Sequence, residues 1–297
     1  MVPWVLLKSP RTRMLQMKSW DTVTIVGVGL IGGSVGLALR KRGLARNVVG
    51  VGRNQSKLRK AQRQGAITAA TQDVEHGVSD ADVVVICTPV ESIGPFAERA
   101  ARACPAGSLV TDAGSTKSNI VASVRPKWPR EVGFVGSHPL AGSEKSGCEH
   151  GQANLFEDRV TVVTPTAKTS EKHLKKAVQF WNSLGSVVIQ MSPKQHDQAI
   201  AMTSHLPHVV ASILAASAGK DHLPLAASGW LDTTRIASGN VDLWKQILTD
   251  NQPQVLKAID KFEKTLHSFR RALQSGRRQT VARILAKGKE NRDSLGN

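Results

Sequence analysis

One stretch, Thr22–Ser34 (Thr-Val-Thr-Ile-Val-Gly-Val-Gly-Leu-Ile-Gly-Gly-Ser), restricts the folds open to this chain more than any other. The five residues Thr22–Val26, all β-branched, read as a strand buried in a parallel sheet. The run breaks at Gly27, and Gly27, Gly29 and Gly32 fall at G-x-G-x-x-G spacing. Leu30, Ile31, Val35, Leu37 and Ala38 then recur at helical spacing, and Gly43 after Arg40-Lys41-Arg42 marks the stop. In such a unit the first glycine permits a tight turn, the second lets backbone approach a pyrophosphate, and the third lets helix lie close on strand. The phosphates would rest on the unpaired N–H groups and positive dipole end of the helix. A glycine-rich turn in an ordinary α/β protein is the alternative, and the order strand, glycines, helix argues against it.

Asn47–Gly52 reads as the second strand. Folds that prefer NAD place an acid about 20 residues past the last glycine, where it bonds the ribose 2′-hydroxyl. Gly52 stands there, and no acid occurs between Thr22 and Gln72. Arg53, Lys57, Arg59 and Lys60 crowd the turn instead, as a 2′-phosphate would require. NADP is therefore the expected cofactor. NAD is the alternative, should Arg53 only stack on adenine.

Further strands are predicted near Ala66–Ala70, Asp82–Cys87, Ser108–Thr111, Val132–Val135, Arg159–Thr164 and Ser186–Gln190, with a helix over 170–184. The alternation predicts an α/β chain whose residues 21–191 form a Rossmann-like, doubly wound parallel sheet. Cofactor contacts are expected at Gly27, Gly29, Leu30, Ile31 and Gly32, at Arg53 and Asn54, at Thr88 and Pro89, and at Asp112. Past Pro193 the pattern becomes helical, over 195–219, 223–237, 241–248, 252–273 and 277–287. An all-helical C-terminal domain over 192–290 is expected to wall the substrate cleft and to carry a homodimer interface, by analogy between folds.

Composition narrows the partners. Lys and Arg number 40 against 23 Asp and Glu, a net +17 that favours anionic ligands. Only 4% of residues are aromatic and the basic residues are scattered, so no platform for stacking nucleic-acid bases is expected. Cys87, Cys104 and Cys148 are odd in number and lack paired spacing, which suits a reducing, cytoplasmic setting and argues against a disulfide framework or zinc site. No run is expected to reach the ~18–20 apolar residues of a membrane span. Residues 1–20 read as a disordered extension: Val5-Leu6-Leu7 is too short for a secretory signal, and Met14 or Met17 is an alternative start.

Two clusters can carry chemistry. Gly136–Gly147 follows a sheet strand, so His138 would stand at the sheet's carboxyl edge, where a histidine can take an alcohol's proton as hydride departs. A histidine that merely caps this loop is the alternative. Thr203-Ser204-His205-Leu206-Pro207-His208 places two histidines three apart on one helix face, with Pro207 kinking the helix. No third ligand at useful spacing turns that pair into a metal site, and none is expected.

Four motifs in order, Asp112–Lys117, Gly136–Gly147, Thr203–His208 and Gly229–Ala237 with Leu243-Trp244 after it, resemble those of the prephenate/arogenate dehydrogenase family over about residues 22–275. The resemblance implies oxidation of a cyclohexadienol with loss of its ring carboxylate, giving 4-hydroxyphenylpyruvate from prephenate or tyrosine from arogenate. It implies that His138 is the catalytic base and that Ser115 positions the hydroxyl, the histidine and the nicotinamide. Arg235 would grip a substrate carboxylate, a task for which a guanidinium fork is well shaped. His205 and His208 match the family's histidine pair, with His208 favoured as the substrate contact and a structural histidine the expected role for at least one of the two, and Ser143, Glu144 and Trp244 would line the pocket. A short-chain dehydrogenase, with its Tyr-x-x-x-Lys pair, is excluded because the chain has no tyrosine. A β-hydroxyacid-type dehydrogenase and a non-catalytic NADP-sensing regulator on the same fold are the remaining alternatives.

Overall fold

A computed structural model describes residues 19–124, 128–129 and 131–296. The expected extension lies outside the described residues as far as position 18. Trp20, assigned to that extension from sequence, instead opens β1 (Trp20–Val26) and is buried against Phe180.

The chain then alternates as predicted. β1 leads to α1 (Leu30–Lys41), β2 (Ala45–Val51), α2 (Gln55–Arg63), β3 (Ala69–Thr71) and α3 (Val74–Val78). β4 (Val83–Ile86), α4 (Val90–Ala103), β5 (Leu109–Asp112), α5 (Ser118–Ser123) and β6 (Gly133–Pro139) follow. β7 (Val160–Thr164), α6 (Glu171–Ser183) and β8 (Val187–Gln190) complete one sheet in the order β3-β2-β1-β4-β5-β6-β7-β8. The order reverses between β1 and β4, so the glycine turn sits at the switch point, where ligands enter such sheets.

β4 shows why its run reads as uninterrupted apolar sequence. Val83 and Val85 join the core under α1 and α6, while Val84 and Ile86 join the core under α3 and α4. Alternate side chains thus enter opposite cores and both faces are covered.

The sheet departs from the purely parallel expectation at one pair, because β7 runs antiparallel to β6. Residues 140–159 contain no α-helix to carry the chain back across the sheet. They stay at the carboxyl edge, against α1, where the Gln152 amide donates to Ser34 Oγ at 3.0 Å. The chain re-enters from that edge and must run the other way. This pairing also lengthens β6 past its parallel neighbours, with Ser137 opposite Val163 and His138 opposite Val162. His138 therefore stands on a paired strand and not in the loop expected from sequence.

The remaining chain is helical. α7 (Pro193–Ile200) and α8 (Leu206–Ser217) are joined by a π-helical turn, Ala201–His205. Pro207 accounts for it: the ring has no N–H for the Thr203 carbonyl and crowds that carbonyl, so the preceding turn widens. The kink expected at Pro207 is thus a bulge one turn earlier. α9 (Ser228–Thr234), α10 (Val241–Asp250), α11 (Gln252–Gln274) and α12 (Arg278–Asp293) follow. Contrary to expectation, Pro193–Ser217 is by length and composition apolar enough to cross a membrane. Its inner side nevertheless carries His196, Asp197, His205 and His208, all buried, while Met202, Ile213 and Leu214 are exposed.

Candidate active site

The glycine turn is shaped as its spacing predicts. Gly27 has φ 94°, and a Cβ there would lie 2.8 Å from the Cys87 carbonyl oxygen. A Cβ on Gly32 would lie 2.2 Å from the Gly27 carbonyl oxygen, so the helix can approach the strand only through a glycine. A Cβ on Gly29 would meet nothing within 4 Å, which leaves open the path a pyrophosphate needs. Gly29 caps α1 without a side-chain bond and the first turn holds no acid, so Leu30 and Ile31 begin a helix whose N–H groups are available to an anion. Beside the turn, the buried Thr88 Oγ1 has no protein partner, and Pro89 caps α4. The residues present therefore fit a dinucleotide.

After β2, Gly52 leads into exposed Arg53, and the Asn54 side chain caps α2 by accepting from the Lys57 amide at 3.0 Å. Asp112 lies elsewhere than expected. It is fully buried, pairs with Lys117 Nζ, and accepts from the Gly114 amide at 2.9 Å and the Ser137 amide at 3.0 Å. An ion pair with no exposure cannot meet a ligand at the crevice, so Asp112 holds the β5–α5 turn together from beneath. Burial pulls the Lys117 ammonium below its ordinary range, against the attraction of Asp112. The same turn presents Ser115, half-exposed.

His138 stands on β6, the strand paired with β5, and feels Lys117 of that turn. Its Nδ1 lies 2.9 Å from His196 Nε2, and His196 Nδ1 lies 2.8 Å from Asp197 Oδ1. Asp197 also accepts from the Lys117 and Ser118 amides, both at 2.8 Å, so one carboxylate ties α7 to the end of the β5–α5 turn. Asn251 extends the cluster, donating to the Asp197 carbonyl at 2.9 Å and lying 3.2 Å from His205 Nδ1. His208 stacks on Trp244 with ring centroids 3.5 Å apart and planes at 9°. His205 Nε2 and His208 Nδ1 are buried and have no protein partner, so each has capacity left for a ligand.

All four histidines are held neutral. Burial drives His138 well below the ordinary histidine range, and the nearby His196, Lys117 and His205 push the same way. Burial lowers His196 although Asp197 opposes it, lowers His208, and takes His205 to about 4. Burial tends to raise the Asp197 carboxyl, but the bonds from His196 and Ser118 outweigh it and hold the carboxylate charged. Across the mouth, Arg235 donates to Glu144 Oε2 at 3.2 Å, joining the loop after β6 to the helical segment. Ser143 Oγ in that loop accepts from the Lys145 amide at 3.3 Å. Among the described residues no His/Cys/Asp/Glu cluster suited to a metal occurs, and all three cysteines are free thiols.

Sequence reasoning missed His196, Asp197, Lys117 and Asn251. His196 and Asp197 adjoin the predicted boundary at Pro193, in a helix already credited with a different histidine pair. On an uninterrupted helix His205 would point about 180° away from His196. The π turn absorbs one residue, cutting this to roughly 80°, and brings His208 to within roughly 20° of His196.

A nucleotide-binding sheet whose crevice faces a neutral histidine, closed by a helical segment, defines a nicotinamide-dependent dehydrogenase. Similarity to known proteins gives the family. The family model described as "Prephenate dehydrogenase, nucleotide-binding domain" matches residues 35–190, and "Prephenate dehydrogenase, dimerization domain" matches 192–287. The chain belongs to the prephenate dehydrogenase family. It is 32% identical to the prephenate dehydrogenase of Bacillus subtilis, over 95% of this chain and 77% of that protein. The structure of prephenate dehydrogenase from A. aeolicus, in complex with hydroxyphenyl propionate and NAD+, superposes with a TM-score of 0.85 at 33% identity, covering 93% of this chain and 99% of that one. Synechocystis arogenate dehydrogenase gives 0.78 at 32%, covering 92% and 99%.

Proposed function

We propose that the protein oxidatively decarboxylates prephenate, arogenate or both, with NADP preferred over NAD. The observation that carries this reading is His138, kept uncharged on a paired strand at the carboxyl edge of the sheet, where it can accept a proton from a substrate alcohol. The bound nicotinamide would supply the hydride acceptor. His138 takes the hydroxyl proton as the carbinol carbon gives up hydride, which leaves a ketone conjugated with the ring. The ring carboxylate then departs as carbon dioxide and its bonding electrons complete the aromatic ring.

Ser115, in the turn after β5, would position the hydroxyl. Arg235 would bind a substrate carboxylate in place of Glu144, and His208, with His205 behind it, would line the ring pocket against Trp244. The +17 balance draws a dianionic substrate and a phosphate-bearing cofactor towards the cleft. The NADP preference is supported by Arg53, exposed directly after β2 where an acid would mark NAD. NAD remains the second reading, because the related A. aeolicus structure holds NAD+.

Residues 192–290 would form a substrate and dimerisation domain behind the nucleotide-binding residues 21–191. Ile213, Leu225, Leu231, Leu266, Leu273 and Leu285 are exposed along it, which suits a second copy of the chain. The assay that tests the proposal sets prephenate and arogenate against NAD and NADP in a two-by-two design. Turnover of neither substrate would overturn it, and an NAD preference would overturn the cofactor assignment.

A further inference from the structure

His138 is useful as a base only if its free lone pair is on the nitrogen that meets the substrate, and a neutral imidazole can place it on either. The partners around it decide the matter. Asp197 accepts two backbone amides and is held charged, so its Oδ1 can only accept from His196. His196 Nδ1 must therefore carry a hydrogen, and neutral His196 is left with its lone pair on Nε2. His138 Nδ1, 2.9 Å from that lone pair, must in turn donate. Neutral His138 then has its lone pair on Nε2. The one competing arrangement makes His196 an imidazolium donating to His138. Complete burial of His196 and the nearby Lys117 ammonium both oppose it.

We infer that His196 and Asp197 are positioning residues, which fix His138 in the tautomer with hydrogen on Nδ1 and an accepting Nε2. The inference deepens the proposed reaction and rests on reading His138 as its base. When Nε2 takes the hydroxyl proton, the Nδ1 hydrogen can pass to His196 Nε2. The resulting imidazolium then lies against the Asp197 carboxylate, with one proton gained by the pair and one lost by the substrate. The charged groups around the pair are Lys117 and Asp112 from the β5–α5 turn and Asp197 on α7, with His205 on the next helical turn. Because Asp197 is also bonded to the Lys117 and Ser118 amides, the helical segment sets the tautomer of a base that stands on the sheet.

The test is made on the full-length protein with ¹⁵N-labelled histidine, without ligands, and then by kinetics. In the wild type, His138 is expected to show a hydrogen-bearing Nδ1 and a bare Nε2. His196→Phe keeps a ring but no acceptor, so the tautomer should be lost. Turnover should then fall by roughly 10–10²-fold while the substrate KM moves by less than about 3-fold. His196→Gln can offer a carbonyl to Nδ1 and should recover most of the loss, which a purely structural role would not allow. A wild-type His138 with hydrogen on Nε2, or a folded His196→Phe protein with unchanged kcat, overturns the inference. Should the phenylalanine variant fail to fold, the wild-type spectrum and the glutamine variant still decide. The expected tautomer in a protein that turns over neither substrate would uphold this assignment and sink the proposed reaction.

Discussion

Two alanine substitutions, three residues apart, separate the fold from the site. At Gly32 a methyl would lie 2.2 Å from the Gly27 carbonyl oxygen and 2.9 Å from Ile25 Cγ2. An ordinary carbon–oxygen contact lies nearer 3.3 Å, so α1 would have to move off β1 by about 1 Å, and overpacking of this kind costs roughly 1–3 kcal/mol. Helix propensity alone would favour the change by up to about 1 kcal/mol, so destabilisation here reports the clash. At about 2–4 °C per kcal/mol for a domain of this size, Gly32→Ala should lower Tm by several degrees without ligand. At Gly29 a methyl meets nothing within 4 Å, and the residue's φ of −96° and ψ of −150° suit any side chain. Gly29→Ala should leave Tm within a few degrees, since exchanging a glycine cap for alanine costs under about 1 kcal/mol. It should nevertheless weaken NADP binding at least about tenfold, or 1.4 kcal/mol, because the methyl occupies the pyrophosphate path. Thermal unfolding with and without NADP, and a fluorescence titration, read both quantities. Equal stabilities for the two variants together with wild-type nucleotide affinity in Gly29→Ala would refute the placement of the phosphates.

The remaining predictions concern chemistry and charge. His138→Asn should cut turnover by roughly 10²–10⁴-fold with NADP affinity little changed, and near-normal turnover would exclude His138 as the base. Arg53→Ala should raise the Kd for NADP well beyond that for NAD in a direct titration, and equal effects would contradict a 2′-phosphate contact. The folded protein should lose stability as pH falls from about 6.5 towards 4: the unfolded chain takes up protons there that the buried His196, His205 and His208 and the half-buried His138 refuse. His205, held at about 4, contributes up to roughly 3 kcal/mol of this change, and His138, His196 and His208 add in the same direction. Urea unfolding at pH 7.5, 6 and 5 checks it, and a pH-independent midpoint would show that these histidines are solvated.

Much of the architecture was legible because strong local patterns agree with it. The apolar run ending at Cys87 is β4 with both faces covered, and the three glycines occupy the strand–helix turn their spacing demands. What was not legible depends on contacts distant in sequence. Asp112 reads as a crevice acid because it ends a strand, yet Lys117, five residues on, folds back and claims it in the interior. β6 ends at Pro139 and not near Val135 because β7 arrives antiparallel, and nothing in Val132–Val135 announces that partner. The His196–Asp197 pair was hidden by geometry: helical spacing assigns His196 and His205 to opposite faces, and only the π turn brings them together.

That turn also resolves a tension between charge and chemistry. A net +17 favours anionic ligands, but a base with the Lys117 ammonium beside it would be a poor proton acceptor if it had to accept unaided. Lys117 and the neighbouring histidines push His138 away from protonation, which keeps the lone pair free before substrate arrives. A proton acquired during turnover must then be stabilised, and Asp197 is the buried carboxylate within reach through a single imidazole. Asp112 cannot serve, because Lys117 already neutralises it. The bulged helix thus supplies the one countercharge the sheet has spent elsewhere, and it does so only while Asp197 also holds the Lys117 and Ser118 amides. In the proposed reaction, docking of the helical segment and readiness of His138 as base are coupled through Asp197. Any change that loosens α7 from the β5–α5 turn should weaken catalysis more than it weakens nucleotide binding, because the glycine turn expected to hold the phosphates follows β1 and does not touch α7.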